Sequence, residues 1–157
     1  PFGVEVIETP TAAAMAREAL ARAEGMDIVL MAAAVADYAP ANSLPGKRAK
    51  DGEPWQLRLV PTLDILRTLG ERRRDGQVLV GFAADQGEDG LARARAKLRD
   101  KRADLIVFND VSQPGIGFEA GENEVVLVRA QGERRVARAP KERIAASILD
   151  AVEELLP

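Results

Sequence analysis

The sequence contains neither cysteine nor histidine among its 157 residues. The lack of cysteine excludes disulfides, thiolate catalysis and cysteine-ligated metal sites within this chain, and it is consistent with a cytoplasmic protein. The lack of histidine excludes a Ser-His-Asp triad, a histidine general base and histidine-ligated zinc. Any chemistry must therefore use Lys, Asp, Glu, Arg, Tyr, Asn or Ser side chains, with a hard cation such as Mg²⁺ where a metal is needed.

Long apolar runs and a strong net charge are also absent. No apolar stretch is long enough for a transmembrane helix, and no secretory signal pattern is visible, so we expect no membrane partner. The formal net charge is −3, so no global field favours nucleic acid. The hydrophobic fraction of 46% is enough for a buried core, and the length fits a single domain over residues 1–157.

Alternating strand and helix patterns predict an α/β fold. Buried strands are expected over 28–33, 77–84 and 105–108. Helices are expected after Thr11, near Thr62, after Asp85 and after Pro140. Together they predict a three-layer α/β/α domain, Rossmann-like or ribokinase-like, with a mainly parallel central sheet.

Shorter patterns add detail at the edges of this fold. A strand-like pattern over 4–7 closely follows Pro1, which suggests that the sequence is a piece of a longer protein. Alternation over 55–60 predicts a strand with one exposed face in a small β-arm, with Trp55 in the core or an interface. The segments 124–129 and 134–137 predict a hairpin that turns at Gln131-Gly132.

Three predicted strands end in small or polar residues, over 34–37, 82–85 and 109–110. Since the carboxyl ends of parallel strands share one edge of a sheet, these residues are expected to line a single ligand-binding crevice. The alternative is that each carboxylate or amide only caps a loop or a helix. The alanines over 32–34 favour a ligand, because small side chains let it approach the backbone.

Lysine is scarce, and its distribution is uneven. Only five of the 22 cationic residues are lysine, and four of them form the pairs 47/50 and 97/101. A GC-rich genome explains the arginine excess but not the pairing, and a compact ammonium group suits phosphate oxygens. Lys47 and Lys50 lie in a Pro/Gly-containing segment that can fold over a ligand. Lys97 and Lys101 share a helix face, although the helix dipole alone also favours cations there.

Two further motifs have simpler interpretations. The segment 115–118 is rich in glycine but does not enter a helix, so it matches neither a dinucleotide-binding turn nor a P-loop and is interpreted as a structural turn. The arginines over 72–74 are interpreted as a solvated helix end.

The carboxylate of Asp37, the small side chains over 32–34 and the paired lysines together indicate a phosphate-bearing substrate.

Four motifs follow one another in a fixed order: Ala-Ala-Ala-Val-Ala-Asp-Tyr over 32–38, Leu-Val-Gly-Phe-Ala-Ala-Asp over 79–85, Lys97-Leu98, and Asp-Leu-Ile-Val-Phe-Asn-Asp-Val over 104–111. In these motifs the chain resembles the carboxy-terminal synthetase domain of bacterial phosphopantothenoylcysteine synthetase (phosphopantothenate–cysteine ligase). That domain is often fused to a flavin-dependent decarboxylase, and its β-arms make a homodimer. The first third of the family domain, with a glycine-rich turn and a functional asparagine, has no counterpart here. Part of the pantothenate site is therefore expected to be missing.

The resemblance implies a ligase of coenzyme A biosynthesis. CTP activates the carboxylate of 4′-phosphopantothenate as an acyl-cytidylate, and the amine of cysteine then displaces the nucleotide. Mg²⁺ is expected with CTP, while the metal ligands are left unassigned. The resemblance places the catalytic lysine at Lys47 and the acyl intermediate beside Ala33 and Ala34. It implies nucleotide contacts for Asp37, Lys47, Thr62, Leu63, Asp64, Ile65, Phe82, Lys97 and Lys101.

The chain departs from the family pattern at two of these places. The usual lid reads Lys-aliphatic-Lys-Lys, whereas this chain has Lys47-Arg48-Ala49-Lys50. The usual Lys-Asn-Pro-Asp-Ile turn is Pro-Thr-Leu-Asp-Ile over 61–65. Two alternatives to the ligase stay open. One is a non-catalytic nucleotide-binding and dimerisation piece of that enzyme. The other is a fragment of a nicotinamide-dependent dehydrogenase, against which the lack of a Gly-x-Gly-x-x-Gly turn argues.

Overall fold

The computed structural model describes residues 3–42, 44, 46–112 and 121–157. The helices are α1 (Ala12–Ala23), α2 (Ile65–Arg72), α3 (Gly87–Asp100) and α4 (Lys141–Glu153). The strands are β1 (Ile28–Met31), β2 (Tyr38–Pro40), β3 (Leu59–Pro61), β4 (Val78–Asp85), β5 (Leu105–Asp110), β6 (Glu122–Arg129) and β7 (Gly132–Pro140). The turn expected over 115–118 lies outside the described residues. In the ranges above, every helix is too short or too polar to cross a membrane.

A five-stranded sheet in the order β1-β4-β5-β6-β7 forms the centre of the molecule. β4 pairs in parallel with both β1 and β5, whereas β6 is antiparallel to both of its neighbours. β6 is thus the one strand of this sheet that runs opposite to the others, and the prediction of a mainly parallel sheet is confirmed. The carboxyl ends of β1, β4 and β5 meet at the same edge.

Helices cover both faces of the sheet. On one face, α1, α2 and α3 pack against residues such as Leu79 and Ile106. On the other face, α4 packs against the alternate residues, including Val80 and Val107. Because successive side chains of a strand point to opposite faces, the continuous apolar runs of β4 and β5 supply both cores. The predicted three-layer α/β/α arrangement is therefore confirmed.

Helix α1 is fixed at both of its ends. The Thr11 hydroxyl oxygen accepts a hydrogen bond from the backbone N–H of Ala14, which makes Thr11 the N-cap. At the other end, the buried side chain of Gln77 donates from Nε2 to the carbonyl oxygens of Ala23 and Met26, each at 2.6 Å. The start of β4 is thus hydrogen-bonded directly to the end of α1.

Two glycines allow close packing around helix α2. A Cβ atom on Gly81 would lie 2.6 Å from a methyl group of Leu66 on α2. A Cβ atom on Gly70, within α2, would lie 1.9 Å from the carbonyl oxygen of Lys101 at the end of α3. These contacts hold α2 against both β4 and the end of α3.

The structure corrects several sequence-based expectations at the periphery. Residues 4–7 form no strand, and Val4 and Val6 are exposed, because this segment pairs with no described strand. The strand expected over 55–60 is limited to β3, since β2 supplies only three paired residues. Trp55 is therefore outside the strand and 59% exposed, so its assignment to the core is wrong.

Smaller corrections concern the ends of elements. The strand expected over 28–33 stops at Met31 and is at the edge of the sheet rather than its centre. Asp64, and not Thr62, caps α2, because its carboxylate accepts from the backbone N–H of Arg67. The hairpin turns at Ala130-Gln131, since Arg129 pairs directly with Gly132.

Candidate functional site

A cleft of about 370 Å³ opens at the carboxyl ends of β1 and β4. Its walls are the segment after β1, the connection from β3 to α2, and the last turns of α3. Of the eleven residues singled out from the sequence, the cleft is lined by all except Ala34 and Lys47: Ala33, Asp37, Thr62, Leu63, Asp64, Ile65, Phe82, Lys97 and Lys101. The fold thus brings together residues that are up to 68 positions apart in the chain, from Ala33 to Lys101.

The ammonium group of Lys97 forms one wall of the cleft. Its Nζ donates a hydrogen bond of 2.7 Å to the carbonyl oxygen of Phe82. Partial burial lowers the pKa of Lys97, the nearby charge of Lys101 lowers it further, and Asp64 and Asp37 partly oppose both effects. A partly desolvated cation of this kind gains more from a bound anion than a solvated one does.

Lys101 and Asp64 form an ion pair on the same wall. Burial alone would raise the pKa of Asp64, but hydrogen bonds from Lys101 and from the backbone N–H of Arg67 outweigh it, so the pKa lies below its ordinary value. Asp64 is thus ionised, and it links the start of α2 to the end of α3. With Lys97 and Asp37, the cleft contains two cations and two carboxylates.

The floor of the cleft follows β1. Ala33 lines it, and its neighbours Ala32 and Ala34 are exposed but do not line the cleft. The backbone N–H of Thr62 donates to the carbonyl oxygen of Asp37 at 2.9 Å, and the Thr62 hydroxyl donates to the carbonyl oxygen of Ala36 at 2.6 Å. Thr62 therefore fixes the segment after β1 to the segment before α2.

The carboxylates at the ends of β4 and β5 do not line this cleft. The carboxylate of Asp85 receives two hydrogen bonds from Arg93, at 2.6 and 2.7 Å, which lower its pKa to about 2. Asp110 accepts from the backbone N–H of Gly87 at the start of α3. For these two carboxylates the capping interpretation is correct, and the prediction of one crevice holds only for the ends of β1 and β4.

Asn109 behaves differently from its neighbours. Its Oδ1 atom is buried, and in the described ranges no donor reaches it. Asn109 lies beside Ala84 in the register of β4 and β5, at the ligand-binding edge of the sheet. An unpaired buried oxygen is costly unless something donates to it, so Asn109 is a candidate acceptor for a polar ligand. The sequence showed only that a polar residue ends β5.

The basic segment around Lys47 is exposed and away from the cleft walls. Within it, Arg48 hydrogen-bonds Asp51 at 2.8 Å, and its guanidinium carbon lies 4.7 Å from the centre of the Trp55 ring. Tyr38 and Met31, which were not singled out as binding residues, line the cleft instead. The position of Tyr38 directly after Asp37 was the only signal for it in the sequence.

No cluster of three or more acidic side chains able to hold a metal exists in the described ranges. Asp37 and Asp64 line the cleft, and Mg²⁺ commonly binds one or two carboxylates together with substrate phosphates. The residues present thus fit a metal ion that arrives with a phosphorylated ligand.

Residues 1–156 match the family model described as the DNA/pantothenate metabolism flavoprotein C-terminal domain. The chain belongs to this family. Its relatives include the coenzyme A biosynthesis bifunctional protein CoaBC of Bacillus subtilis, which is 41% identical over 83% of this chain and 32% of its own length. The protein of the same name from Mycobacterium tuberculosis is 37% identical over 97% of this chain and 38% of its own length. The chain thus spans about a third of the length of these relatives.

Solved structures support the family fold. The crystal structure of the C-terminal domain of a CoaBC protein has a TM-score of 0.77 and 34% identity, and covers 99% of this chain and 69% of that chain. A DNA/pantothenate metabolism flavoprotein from Streptococcus pneumoniae has a TM-score of 0.76 at 22% identity, covering 99% of this chain and 73% of that chain. At 22% identity, this second likeness shows that the two chains share a fold.

Proposed function

We propose that this chain is the nucleotide-binding part of a ligase of coenzyme A biosynthesis, which joins 4′-phosphopantothenate to cysteine using CTP. Family membership and the names of the CoaBC relatives support the pathway. The observation that carries the proposal is the cleft at the ends of β1 and β4, which is lined by Lys97, Lys101 and the exposed Ala33.

The proposed reaction has two steps. In the first, a carboxylate oxygen of phosphopantothenate attacks the α-phosphorus of CTP, and pyrophosphate leaves. In the second, the cysteine amine attacks the acyl carbon, loses a proton and displaces cytidine monophosphate. Negative charge builds up on the phosphate oxygens in the first step, so cations fixed beside them stabilise the transition state.

The residues of the cleft have distinct roles in this proposal. Lys97 and Lys101 bind the triphosphate, and the alanine floor lets the acyl intermediate lie against the backbone. Asp37 and Asp64 would hold a Mg²⁺ ion that arrives with the phosphates, and such an ion would supply further charge neutralisation.

A non-catalytic nucleotide-binding role is the second candidate. It is favoured by one observation, namely that Lys47 does not line the cleft. Because the relatives are named as bifunctional, we also propose that the domain works with a flavin-dependent decarboxylase domain. Product formation by the parent protein would decide between the catalytic and the binding role.

The first test is calorimetric titration of the chain with CTP and Mg²⁺. Each of Lys97→Ala and Lys101→Ala removes a charged contact worth about 1.5–3 kcal/mol, so affinity should fall about 10- to 100-fold. Lys141→Ala, at the start of α4 and away from the cleft, is the matched control and should bind like the unchanged chain. Affinity indifferent to both cleft substitutions would refute the proposed site.

A further inference from the structure

The segment over 46–58 is folded onto itself by a small cluster, here called the Arg48 cluster. Arg48 hydrogen-bonds Asp51 Oδ2, and the other oxygen of Asp51 accepts from the backbone N–H of Glu53 at 3.2 Å. The hydrogen bond from Arg48 lowers the pKa of Asp51, which keeps that carboxylate ionised. On its other side, the Arg48 guanidinium lies over the ring of Trp55. The cluster thus closes a loop of eight residues, from Arg48 to Trp55.

This loop grows from a stem that borders the cleft. β2 and β3 form the stem, and Tyr38 and Pro61, at the end of it nearest the cleft, are paired and line the wall. A hydrogen bond from the backbone N–H of Ala41 to the carbonyl of Arg58 extends the stem. Lys47 lies in the segment that this stem carries, but it does not line the cleft.

The two lysines that flank Arg48 form no ion pair with the described residues. Lys47 and Lys50 are both exposed, and in the described part of the chain neither has an ion-pair partner. Arg48, between them, is the basic residue of this loop whose charge is already compensated. The segment is therefore held by the paired Arg48, while the charges of Lys47 and Lys50 are available to a ligand.

We propose that the Arg48 cluster is a latch that holds Lys47 away from the cleft until a nucleotide binds, which makes Arg48 and Trp55 positioning residues for Lys47. The inference rests on the proposed function. A bound triphosphate attracts the loop's cations, and the loop moves over the cleft when that attraction exceeds the stability of the cluster. Opening the latch separates Arg48 from Trp55.

The contacts of the cluster have a suitable strength for a latch. An exposed cation–π contact and an exposed ion pair are each worth a small multiple of the thermal energy, so each shifts an equilibrium by about 2- to 5-fold. A latch of this strength favours the open loop in the absence of a ligand. It remains weak enough for a triphosphate to overcome, because charged contacts to phosphate are stronger.

The first experiment reads the latch in the free protein. Trp55 is the only tryptophan of the chain, so acrylamide quenching of its fluorescence reports whether Arg48 covers the ring. Quenching should be greater in Arg48→Met than in the unchanged chain. The matched control is Arg99→Met, which removes an exposed arginine from the end of α3 and should leave quenching unchanged. Equal quenching in Arg48→Met and the unchanged chain would overturn the proposal.

The second experiment adds CTP and Mg²⁺. Quenching of the unchanged chain should rise to the level of Arg48→Met, whereas the variant should show no further rise. Affinity for CTP should increase about 2- to 5-fold in Arg48→Met, because closure no longer breaks the cluster. Trp55→Leu should give the same increase, and the double variant should add nothing to it, as expected for two residues that act through one contact.

The outcomes separate the latch from the proposed function. Lower affinity in Arg48→Met would show that Arg48 binds the nucleotide directly, and it would overturn the latch alone. Calorimetric binding of CTP without a change in the quenching of Trp55 would do the same. Absence of CTP binding by the unchanged chain would refute the proposed function, and the latch with it.

Discussion

Lys97 combines a partly buried ammonium group with a single carbonyl partner, and its pKa is below the usual 10.5. An anion bound beside it restores the stabilisation that burial removes, so binding raises that pKa again. Nucleotide affinity should therefore be complete below the Lys97 pKa and fall as the pH rises through it. Affinity changes in this direction because Lys97 attracts the anion only in its protonated form.

We accordingly expect CTP affinity to decrease in the alkaline range, at a lower pH than an ordinary lysine would titrate, with uptake of protons on binding. Calorimetry in two buffers of different ionisation enthalpy measures that uptake. Lys97→Arg retains the charge over this range and should remove most of the pH dependence. If the affinity of Lys97→Arg followed the same pH profile as the unchanged chain, another group would be responsible.

Lys47 is expected to act mainly on charge that develops during the reaction, and its attraction to the bound nucleotide, which draws the loop over the cleft, is the smaller effect. In the parent protein, Lys47→Gln should therefore lower kcat by a much larger factor than it lowers nucleotide affinity. Lys50→Gln, three residues further along the same loop, is the control for a general change in loop charge. Equal losses of affinity and rate in Lys47→Gln would make Lys47 an ordinary binding residue.

At the scale of elements, Gly70 decides how α2 meets the end of α3. Alanine is normally the better helix residue by about 1 kcal/mol. Here a Cβ would overlap the Lys101 carbonyl oxygen, a backbone atom that cannot rotate away. Gly70→Ala should therefore destabilise the fold by about 1–3 kcal/mol, measured by urea unfolding, and weaken CTP binding through displacement of Lys101.

Gly25→Ala is the control for this substitution. A Cβ there would meet only the Arg22 carbonyl oxygen, at 3.9 Å, and Gly25 has an ordinary φ angle. Stability close to that of the unchanged chain is expected. Unaltered stability in Gly70→Ala would mean that the two helices can separate without cost.

The elements differ in how well the sequence predicts them. β4 and β5 are predictable because their continuous apolar runs suit only strands buried on both faces. The alternation over 4–7 and 55–60 is equally regular, but a strand also needs an edge to pair with, and no sequence pattern reveals that edge. The helices are predictable from their apolar spacing, whereas their caps depend on whichever side chain reaches the first free N–H group, as at Asp64.

The same limit applies to the cleft. Asp37 and Asp85 both follow small residues at the end of a buried strand, and the sequence does not distinguish them. Arg93 on α3, eight residues after Asp85, hydrogen-bonds that carboxylate. Asp37 has no such partner nearby in sequence. Lys97 and Lys101 line the cleft, and their roles stay predictions.

At the scale of the whole molecule, the β-arm is exposed and apolar. Tyr38, Leu57 and Leu59 are 60%, 50% and 51% exposed. A two-stranded sheet with an unprotected apolar surface is marginally stable by itself. We therefore propose that two copies of the chain pair through their arms.

Sedimentation velocity should show a dimer, and Leu57→Glu should convert it to a monomer because it places charge in the apolar contact. Leu149→Glu introduces the same charge at a leucine of α4 that is 52% exposed, and it should leave the dimer intact. A monomeric unchanged chain at micromolar concentration would refute the pairing.

The hydrogen bonds of Gln77 have a consequence for how the molecule tolerates variation. The two groups that Gln77 holds are backbone carbonyls, at Ala23 and Met26. Every amino acid offers the same carbonyl, so the contact itself places no demand on the side chains at 23 and 26. Position 77 has no such freedom, because a glutamate there would present two acceptors to two acceptors. Since Ala23 is also buried in the core, substitution without loss of the junction is expected at the exposed Met26, whereas position 77 depends on its single amide.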